Sequence, residues 1–462
     1  MTFSILIFEK HPDLTEDVII GLGWLYMLLF AMNAWWTYRS VKIGKHTKVP
    51  GWLGVRSVPN ASFWAFYSLL LLMVSLAHLT SSSSPERFSL RMPEWFKNFA
   101  DALAGPVAYF SFVLLLFAAM ILLRRWLIKP TVAWILLNLS IIFLALSMTD
   151  WDFRQIVGKA DNVPIVAMLF IVAFFTWVFF RRAVDNDRRI AEGRPLFEKE
   201  DSEKVLVWPD LVYTELICMI VVTIVLVAWG IALPAPIEEP SNIAKTPNPS
   251  KAPWYFLGLQ EMLVYYDPWL AGVVFPSLIL VGLMALPYID FNKKGNGYFC
   301  FNDRKFAITV FQFGFFPLWV AMIVLGTFLR GPNWGFFGIY EYWDVHKLQV
   351  LNNVFLSDWF WNEILGRGVP KAAADASELT KIGTILVRES PGFILILIYF
   401  FVLPPVMAAT VLRKFYERMG FIRFMVFSNL LLFMAALPIK MVLRWSVNLK
   451  YLVTIPEWFF NI

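Results

Sequence analysis

The sequence predicts an all-α integral membrane protein with about ten transmembrane helices. Hydrophobic residues make up 59% of the 462 residues and charged residues only 16%, whereas about 25% of the residues in soluble domains are charged. Apolar runs recur at the length of about 20 residues that a helix needs to cross a bilayer. Basic residues cluster in the loops between these runs, so membrane topology explains the net charge of +6. This composition excludes a disordered, collagen-like or nucleic-acid-binding chain.

Ten apolar runs are long enough to be membrane spans. They lie near residues 18–37, 62–79, 106–124, 131–149, 164–181, 212–232, 267–288, 306–327, 392–411 and 424–443. We do not expect the first run to be a cleavable signal peptide, because acidic residues precede it where such a peptide has basic ones. These acidic residues are Glu9, Asp13, Glu16 and Asp17.

The charged residues also predict an orientation in the membrane. Clusters of Lys and Arg lie in alternate loops, near residues 39–56, 124–129, 181–194, 293–305 and 413–418. Loops of this kind face the cytoplasm, according to the positive-inside rule. We therefore expect a multi-pass protein of a bacterial inner membrane, with both termini on the periplasmic side.

Changes in composition divide the chain into five regions. The sharpest break is a polar stretch after the fifth apolar run, and a second break follows the eighth run. The predicted regions are 1–182, a five-helix transmembrane region of unknown role; 183–207, a cytoplasmic polar linker; 208–338, a domain with several motifs; 339–391, a periplasmic loop; and 392–462, two terminal transmembrane helices.

Region 208–338 contains four motifs in a fixed order. They are a Trp-Pro-Asp start within Trp208–Tyr213, a helix exit at Gly230–Pro240, a Pro- and aromatic-rich loop at Thr246–Phe256, and a basic loop at Lys293–Lys305. This order resembles the C-terminal domain of cytochrome b, which is a separate three-helix subunit IV in the cytochrome bf complexes. The resemblance implies a subunit-IV-like three-helix core in the second half of the chain.

The resemblance also implies a quinol-binding site. In that family the aromatic loop lines the quinol-oxidation pocket, on the side of the membrane predicted here as periplasmic. The quinol-binding residues are accordingly expected to be Pro253, Trp254, Tyr255 and Phe256. Aromatic walls suit a quinol head group, which needs an apolar pocket with few polar groups. The expected substrate is a membrane quinol, either menaquinol or ubiquinol.

One residue departs from the family pattern. The family motif reads Pro-Glu-Trp-Tyr, and its Glu is thought to take a quinol proton, but Ala252 and Pro253 precede Trp254 here. We predict that Glu261 is the proton acceptor instead and that Tyr255 assists it, since a buried carboxylate with a raised pKa suits this task. Tyr265, Tyr266 and Asp267 are candidates for continuing the proton route to water. Alternatively, Glu261 is a structural carboxylate held by a helix N-terminus or a neighbouring Lys.

The histidine content predicts which groups other chains supply. A two-haem cytochrome b needs four intramembrane histidines, but only His78 of the four histidines lies near a span. We expect no haem ligands and no metal site in this chain, and we expect haem b and an iron–sulfur cluster on partner subunits. The implied partners are a haem-b-binding subunit of the cytochrome b N-terminal type, a Rieske iron–sulfur protein and a c-type cytochrome, in a dimeric complex within the lipid bilayer.

These expectations define one leading function and several alternatives. The leading interpretation is a non-haem membrane subunit of a Rieske/cytochrome b type quinol:cytochrome c oxidoreductase, in which electron transport is coupled to proton release. The alternatives are a scaffold subunit with an inactive quinol pocket and a quinone-binding subunit of another respiratory oxidoreductase. A ten-helix transporter is disfavoured, because it predicts charged groups at mid-membrane in two related halves.

Overall fold

The computed structural model describes residues 14–51, 54–83, 90–200, 202–233, 240–292, 299–349 and 352–462. The chain divides into two compact units. The first unit comprises the described residues up to Asp101 together with Trp126–Ala167 and Ile339–Tyr342, and the second comprises Ala102–Arg125, Met168–Gly338 and Trp343–Ile462.

The fold is helical almost throughout. The helices are α1 (Glu16–Ile43), α2 (Asn60–Thr80), α3 (Glu94–Leu103), α4 (Pro106–Leu122), α5 (Arg124–Leu127), α6 (Pro130–Ser147), α7 (Trp151–Val157), α8 (Val163–Ala191), α9 (Phe197–Glu200), α10 (Val207–Ala232), α11 (Trp254–Met262), α12 (Leu270–Ile289), α13 (Asn302–Leu329), α14 (Leu356–Asp358, continued by Trp359–Ile364), α15 (Glu378–Arg388), α16 (Ser390–Ala409), α17 (Arg413–Met419) and α18 (Phe421–Val447).

Three pairs of short strands accompany the helices. Strands β1 (His46–Gly51) and β2 (Gly54–Pro59) are antiparallel, as are β5 (Thr454–Ile455) and β6 (Phe460–Asn461). Strands β3 (Val354–Phe355) and β4 (Leu449–Tyr451) are parallel.

The structure confirms the predicted fold class. Among the described residues, nine helices are long and apolar enough to cross a membrane, and α3 with α4 forms a tenth candidate that is bent by 91°. Each of these helices coincides with one of the ten apolar runs in the sequence. The protein is therefore a multi-pass helical membrane protein.

Packing of α1 against α2 builds the core of the first unit, which also includes part of α6. Small residues allow this close approach, since the Ser75 hydroxyl donates to the Gly23 carbonyl at 2.8 Å. A Cβ atom on Gly23 would lie 2.8 Å from the Leu79 side chain. Small residues and interhelical hydrogen bonds of this type replace the hydrophobic effect, which is weak between helices in lipid.

The second unit has its core around the short helix α11, which lies between the spans α10 and α12. Buried side chains from α4, α12, α13 and α18 meet the segment that follows α11. The cluster consists of Phe110, Met262, Tyr265, Tyr266, Leu270, Ala271, Leu318, Met322, Leu437 and Met441. In contrast, no residue of α10 is buried within the described chain.

The two regions proposed from composition as a polar linker and a periplasmic loop also contain helix. Helix α8 continues beyond the apolar run to Ala191, so the polar stretch that starts at 183 begins in helical conformation. The stretch 339–391 includes α14 and α15. The five-region division itself stays a prediction.

Candidate functional site

Helix α11 begins at the aromatic motif and is fixed by its own preceding loop. Pro253 is the N-cap residue, with extended backbone, and Trp254 begins the helix. The Gln260 side chain binds back to this loop: its carbonyl oxygen accepts from the Ala252 N–H at 2.8 Å, and its amide donates to the Ser250 carbonyl at 2.9 Å. These two bonds hold the start of the helix in place.

The helix has a buried face and an exposed face. Leu257, Gly258 and Glu261 are buried, and Gly258 lies against Ile323 and Trp319 of α13. Tyr255 and Phe256 are each about half exposed, at 49% and 51%. The structure therefore brings the aromatic residues of the motif together but points them away from the Glu261 carboxyl.

The Glu261 carboxylate forms a buried ion pair with Arg330, the residue that follows α13. Arg330 Nε donates to Glu261 Oε2 at 3.0 Å, and Arg330 Nη2 donates to Oε1 at 2.5 Å. The side chains are 0% and 4% exposed. The indole N–H of Trp334 also donates to Oε2, at 3.1 Å. Bidentate pairing with a guanidinium fixes both the position and the orientation of a carboxylate.

A strained loop after α13 positions these partners. Asn333 and Trp334 both have positive φ angles, 57° and 55°, a conformation that is uncommon for residues other than glycine. Asn248 holds the loop, because its side chain exchanges two hydrogen bonds with Asn333, at 3.0 and 2.6 Å. The Thr246–Phe256 motif thus contacts the carboxylate site through Asn248 as well as through α11.

Burial and pairing act in opposite directions on Glu261. Desolvation raises the pKa of the Glu261 carboxyl, whereas the charge and the hydrogen bonds of Arg330, followed by the Trp334 hydrogen bond, lower it. The largest of these effects is desolvation, so the pKa of Glu261 lies above its usual range. A carboxylate in this situation accepts a proton more readily than a solvated one.

The segment after α11 leads from Glu261 to the C-terminal strands. The Tyr265 hydroxyl interacts electrostatically with Glu261, and it lacks a hydrogen-bond partner of good geometry among the described residues. Tyr451 donates to Asp267 Oδ1 at 3.2 Å, as does the Asn461 amide at 3.3 Å. Burial, followed by the Asp267 charge, raises the pKa of Tyr451 to about 12, so this phenol stays protonated at neutral pH.

Several charged residues at this site were not singled out from the sequence. Arg330 binds Glu261, and Lys440 and Arg444 are buried in α18, with Lys440 near the rings of Tyr266 and Tyr451. A signal for Arg330 was present, since it is a lone basic residue at the end of a span on the side predicted to be poor in basic residues. Lys440 and Arg444 lie near the end of the last apolar run, where a charge is costly and therefore informative.

Among the three described histidines one is buried, whereas a haem held between two imidazoles needs two inside the membrane. His78 is 1% exposed, and its Nδ1 lies 2.8 Å from the Val74 carbonyl within its own helix. His46 and His346 are exposed. We assign no haem ligand to the described residues.

Two segments of the sequence analysis lie wholly or partly outside the described residues. These are the acidic part of the helix exit, which includes Glu238 and Glu239, and the first part, 293–298, of the basic loop from Lys293 to Lys305.

Residues 240–338 match the family described as Cytochrome b(C-terminal)/b6/petD. The match confirms the resemblance drawn from the motifs. It covers about a fifth of the chain and includes α11, α12, α13 and Arg330. It begins after α10, which was included in the predicted domain. No solved structure is significantly similar to the chain.

This match over part of the chain indicates a general class of function. A cytochrome b C-terminal segment within a multi-pass membrane protein implies a subunit of a membrane cytochrome b-type redox complex. Complexes of that family interact with quinone and contain haem.

Proposed function

We propose that the chain is a non-haem membrane subunit of a bacterial Rieske/cytochrome b type quinol:cytochrome c oxidoreductase. In this proposal the exposed face of α11 forms part of a quinol-oxidation pocket on the periplasmic side. A haem-b-binding subunit completes the pocket, and a Rieske protein and a c-type cytochrome take the electrons. The complex is a dimer in the inner membrane, both termini of the chain are periplasmic, and the substrate is menaquinol or ubiquinol.

The family match at 240–338 is the observation that carries this proposal, and the geometry of α11 supports it. Pro253, Tyr255 and Phe256 form an exposed apolar surface at the start of α11. The rings of Tyr255 and Phe256 lie 4.7 Å apart. A surface of this kind provides one wall of an apolar pocket, while the hydrogen-bonding groups that orient the quinol come from the opposite wall.

The proposed role of Glu261 is to take up a proton released in quinol oxidation. Its pairing with Arg330 keeps the carboxylate ionised before the reaction, and its burial favours the protonated form afterwards. Because the carboxyl lies on the buried face of α11, the proton has to reach it from the exposed face, and Tyr255 is the titratable group of the aromatic motif on that face.

A second candidate function is structural. A buried, bidentate ion pair also serves to fix two helices to each other, and the pair of Glu261 and Arg330 joins α11 to the end of α13 in this way. In that case the replacement of the family's Glu by Pro253 marks a pocket that no longer reacts, and the chain is a scaffold subunit.

The composition of the native complex tests the proposed class. The chain is purified in mild detergent, and every co-purifying protein is identified and quantified by mass spectrometry. We expect a haem-b-binding subunit and a Rieske protein in stoichiometric amounts. Isolation of the chain alone, or with other respiratory subunits, would overturn the proposal and favour the scaffold or the other oxidoreductase.

Glu261→Gln decides between the catalytic and the structural role. If Glu261 accepts a proton, quinol oxidation by the purified complex falls by at least about 100-fold, the range expected for loss of a general base. The matched control is Glu389→Gln, because Glu389 is 1% exposed and pairs with Arg388 outside the family segment. Normal turnover in the assembled Glu261→Gln complex would mean that Glu261 has only the structural role of joining α11 to α13.

A further inference from the structure

Lys440 is a buried basic residue inside the last span, α18. The residue is 3% exposed. Its Nζ atom has no hydrogen-bond partner within the part of the chain that the structure describes. Its neighbours in the helix, Leu437 and Met441, belong to the hydrophobic cluster that contains Tyr265 and Tyr266. An ionisable group in this position is expensive, and such groups are usually functional.

The surroundings of Lys440 provide aromatic rings instead of a carboxylate. The Nζ atom lies 5.8 Å from the centre of the Tyr266 ring and 5.9 Å from that of Tyr451. These distances are at the outer limit of cation–π contact, which replaces little of the lost hydration. Arg444 lies one turn further along α18 and disfavours a second positive charge nearby.

Every element around Lys440 contributes titratable or charged groups. Tyr109 of α4 lies near Glu261, and Tyr399 of α16 donates to the Leu432 carbonyl at 2.8 Å. The groups on these elements include Tyr109, Glu261, Tyr265, Tyr266, Asp267, Arg330, Tyr399, Arg444, Lys450 and Tyr451.

These groups form a sequence between Glu261 and the C-terminal strands. The Tyr265 hydroxyl interacts with Glu261 at one end, and Tyr451 donates to Asp267 at the other. Lys440 lies between the two ends, beside the rings of Tyr266 and Tyr451. Among the buried basic side chains of this set, Lys440 is the one whose head group can lose its proton, because the guanidinium groups of Arg330 and Arg444 stay protonated.

We propose that Lys440 is a proton-carrying residue, which relays the quinol proton from Glu261 and Tyr265 to Tyr451 and Asp267. This inference rests on the function proposed above. In this relay Lys440 begins as a neutral amine, and water bridges the groups that are not hydrogen-bonded to each other, as Tyr265 and Lys440 are not. The protonated Glu261 carboxyl gives a proton to the Tyr265 oxygen as the Tyr265 hydroxyl passes its own to the Lys440 amine. The Lys440 ammonium then gives a proton to the Tyr451 oxygen as Tyr451 passes its own to the Asp267 carboxylate. No electrons move in these steps, and both tyrosines end as they began.

The test compares Lys440→Met with Lys440→Arg in the purified complex. Methionine fills a similar volume without a charge, and arginine keeps a permanent charge that does not carry a proton. We expect both variants to lower quinol oxidation at least tenfold and to flatten its pH profile. Only Lys440→Met is expected to raise the thermal transition of the complex, because it removes a polar group that is buried without a hydrogen bond.

The control is Lys450→Met. Lys450 is partly exposed and lies on the strand that contains Tyr451, with its Nζ 5.2 Å from the Tyr451 ring centre. We expect it to change neither the rate nor the pH profile. If Lys440→Met does not assemble, Lys440→Gln provides the same comparison with a neutral polar side chain.

The outcomes separate this inference from the proposed function. A wild-type complex that does not oxidise quinol overturns the proposed function and the proton role with it. An active wild-type complex whose Lys440→Met and Lys440→Arg variants keep the wild-type rate and pH profile overturns the proton role alone. A higher thermal transition with an unchanged rate would identify Lys440 as a buried polar group without a role in the reaction.

Discussion

The two units of the protein bury different kinds of polar groups. In the first unit the buried polar groups are, apart from His78, amides and hydroxyls: the Asn33 amide donates to Asn138 Oδ1 at 2.6 Å, and the Trp134 indole donates to Asn33 Oδ1 at 2.9 Å. Tyr67 also donates to Asn138, at 3.3 Å. In the second unit the buried groups include the charged residues Glu261, Arg330, Lys440 and Arg444.

This difference indicates what each set of polar groups does. A hydrogen bond between neutral side chains of transmembrane helices contributes about 0.6 kcal/mol on average, so a satisfied network of this kind aligns α1, α2 and α6 at low cost. Burying charge is far more expensive and often contributes nothing net to stability. The charged groups of the second unit therefore require a reason beyond packing, and proton transfer is the reason we propose.

Arg330→Met is expected to have the largest effect on stability. It leaves the Glu261 carboxylate buried without its counter-ion, and removing one partner of a buried pair costs about 3–5 kcal/mol. Thermal or denaturant-induced unfolding in detergent measures this loss.

The double variant with Glu261→Gln and Arg330→Met is the control for this prediction. It removes both charges, so it is expected to recover most of the lost stability. A loss below about 1 kcal/mol in the single variant would mean that water reaches the site. Breaking a contact in the charged network would then cost no more stability than breaking one in the neutral network.

Asn138→Leu tests the neutral network and is expected to have a smaller effect. Replacing the Asn138 side chain removes the acceptor of two hydrogen bonds, and double-mutant cycles on similar interhelical bonds average about 0.6 kcal/mol with a maximum near 1.7. The measurement is the same unfolding assay, with Ser140→Ala of the exposed face of α6 as the control. A loss of 3 kcal/mol or more would place the neutral network on a par with the buried ion pair and would remove the contrast between the units.

The sequence predicted the spans better than it predicted the site. Span length and hydropathy are local properties, so all ten runs correspond to helices or, for the third, to a bent helix pair. The loop predicted at Thr246–Phe256 leads into the short helix α11, and the quinol-binding role of Pro253, Trp254, Tyr255 and Phe256 stays a prediction. Which face of that helix is buried could not be predicted from the sequence, because the burial of Glu261 depends on Arg330, which lies 69 residues further along the chain.

The missed residues share a physical cause. Lys440 was read as part of an apolar run, since a single charge hardly changes the average hydropathy of about 20 residues. Its burial follows from the packing of α18 beside the segment that contains Tyr265 and Tyr266. Contacts between elements that are nearly 200 residues apart are not encoded in a local pattern, so a structure was needed to see the charged network.

Asp290 and Arg304 form an ion pair that is charged like the pair of Glu261 and Arg330 but is partly exposed, so it separates the effect of charge on stability from that of burial. We expect it to contribute least to the free energy of unfolding. Arg304 donates to both Asp290 oxygens, at 3.0 and 2.8 Å, but each side chain is 32% exposed. The Arg304 hydrogen bonds lower the pKa of Asp290, so the folded state binds a proton more weakly than the unfolded state. The pair therefore stabilises the fold fully at pH values above the pKa of Asp290 in the unfolded state, about 3.9. This stabilisation is lost as the pH falls through the lower pKa of Asp290 in the folded state.

For such an exposed pair we expect at most about 1 kcal/mol. The unfolding free energy of Asp290→Asn, measured against wild type from pH 7 down to pH 3, should show a deficit that shrinks as the pH falls and that is reduced by salt. A deficit of several kcal/mol at neutral pH, insensitive to salt, would show that this pair is desolvated in the assembled protein. Asp290 and Arg304 would then belong with the buried charges at the other end of α12.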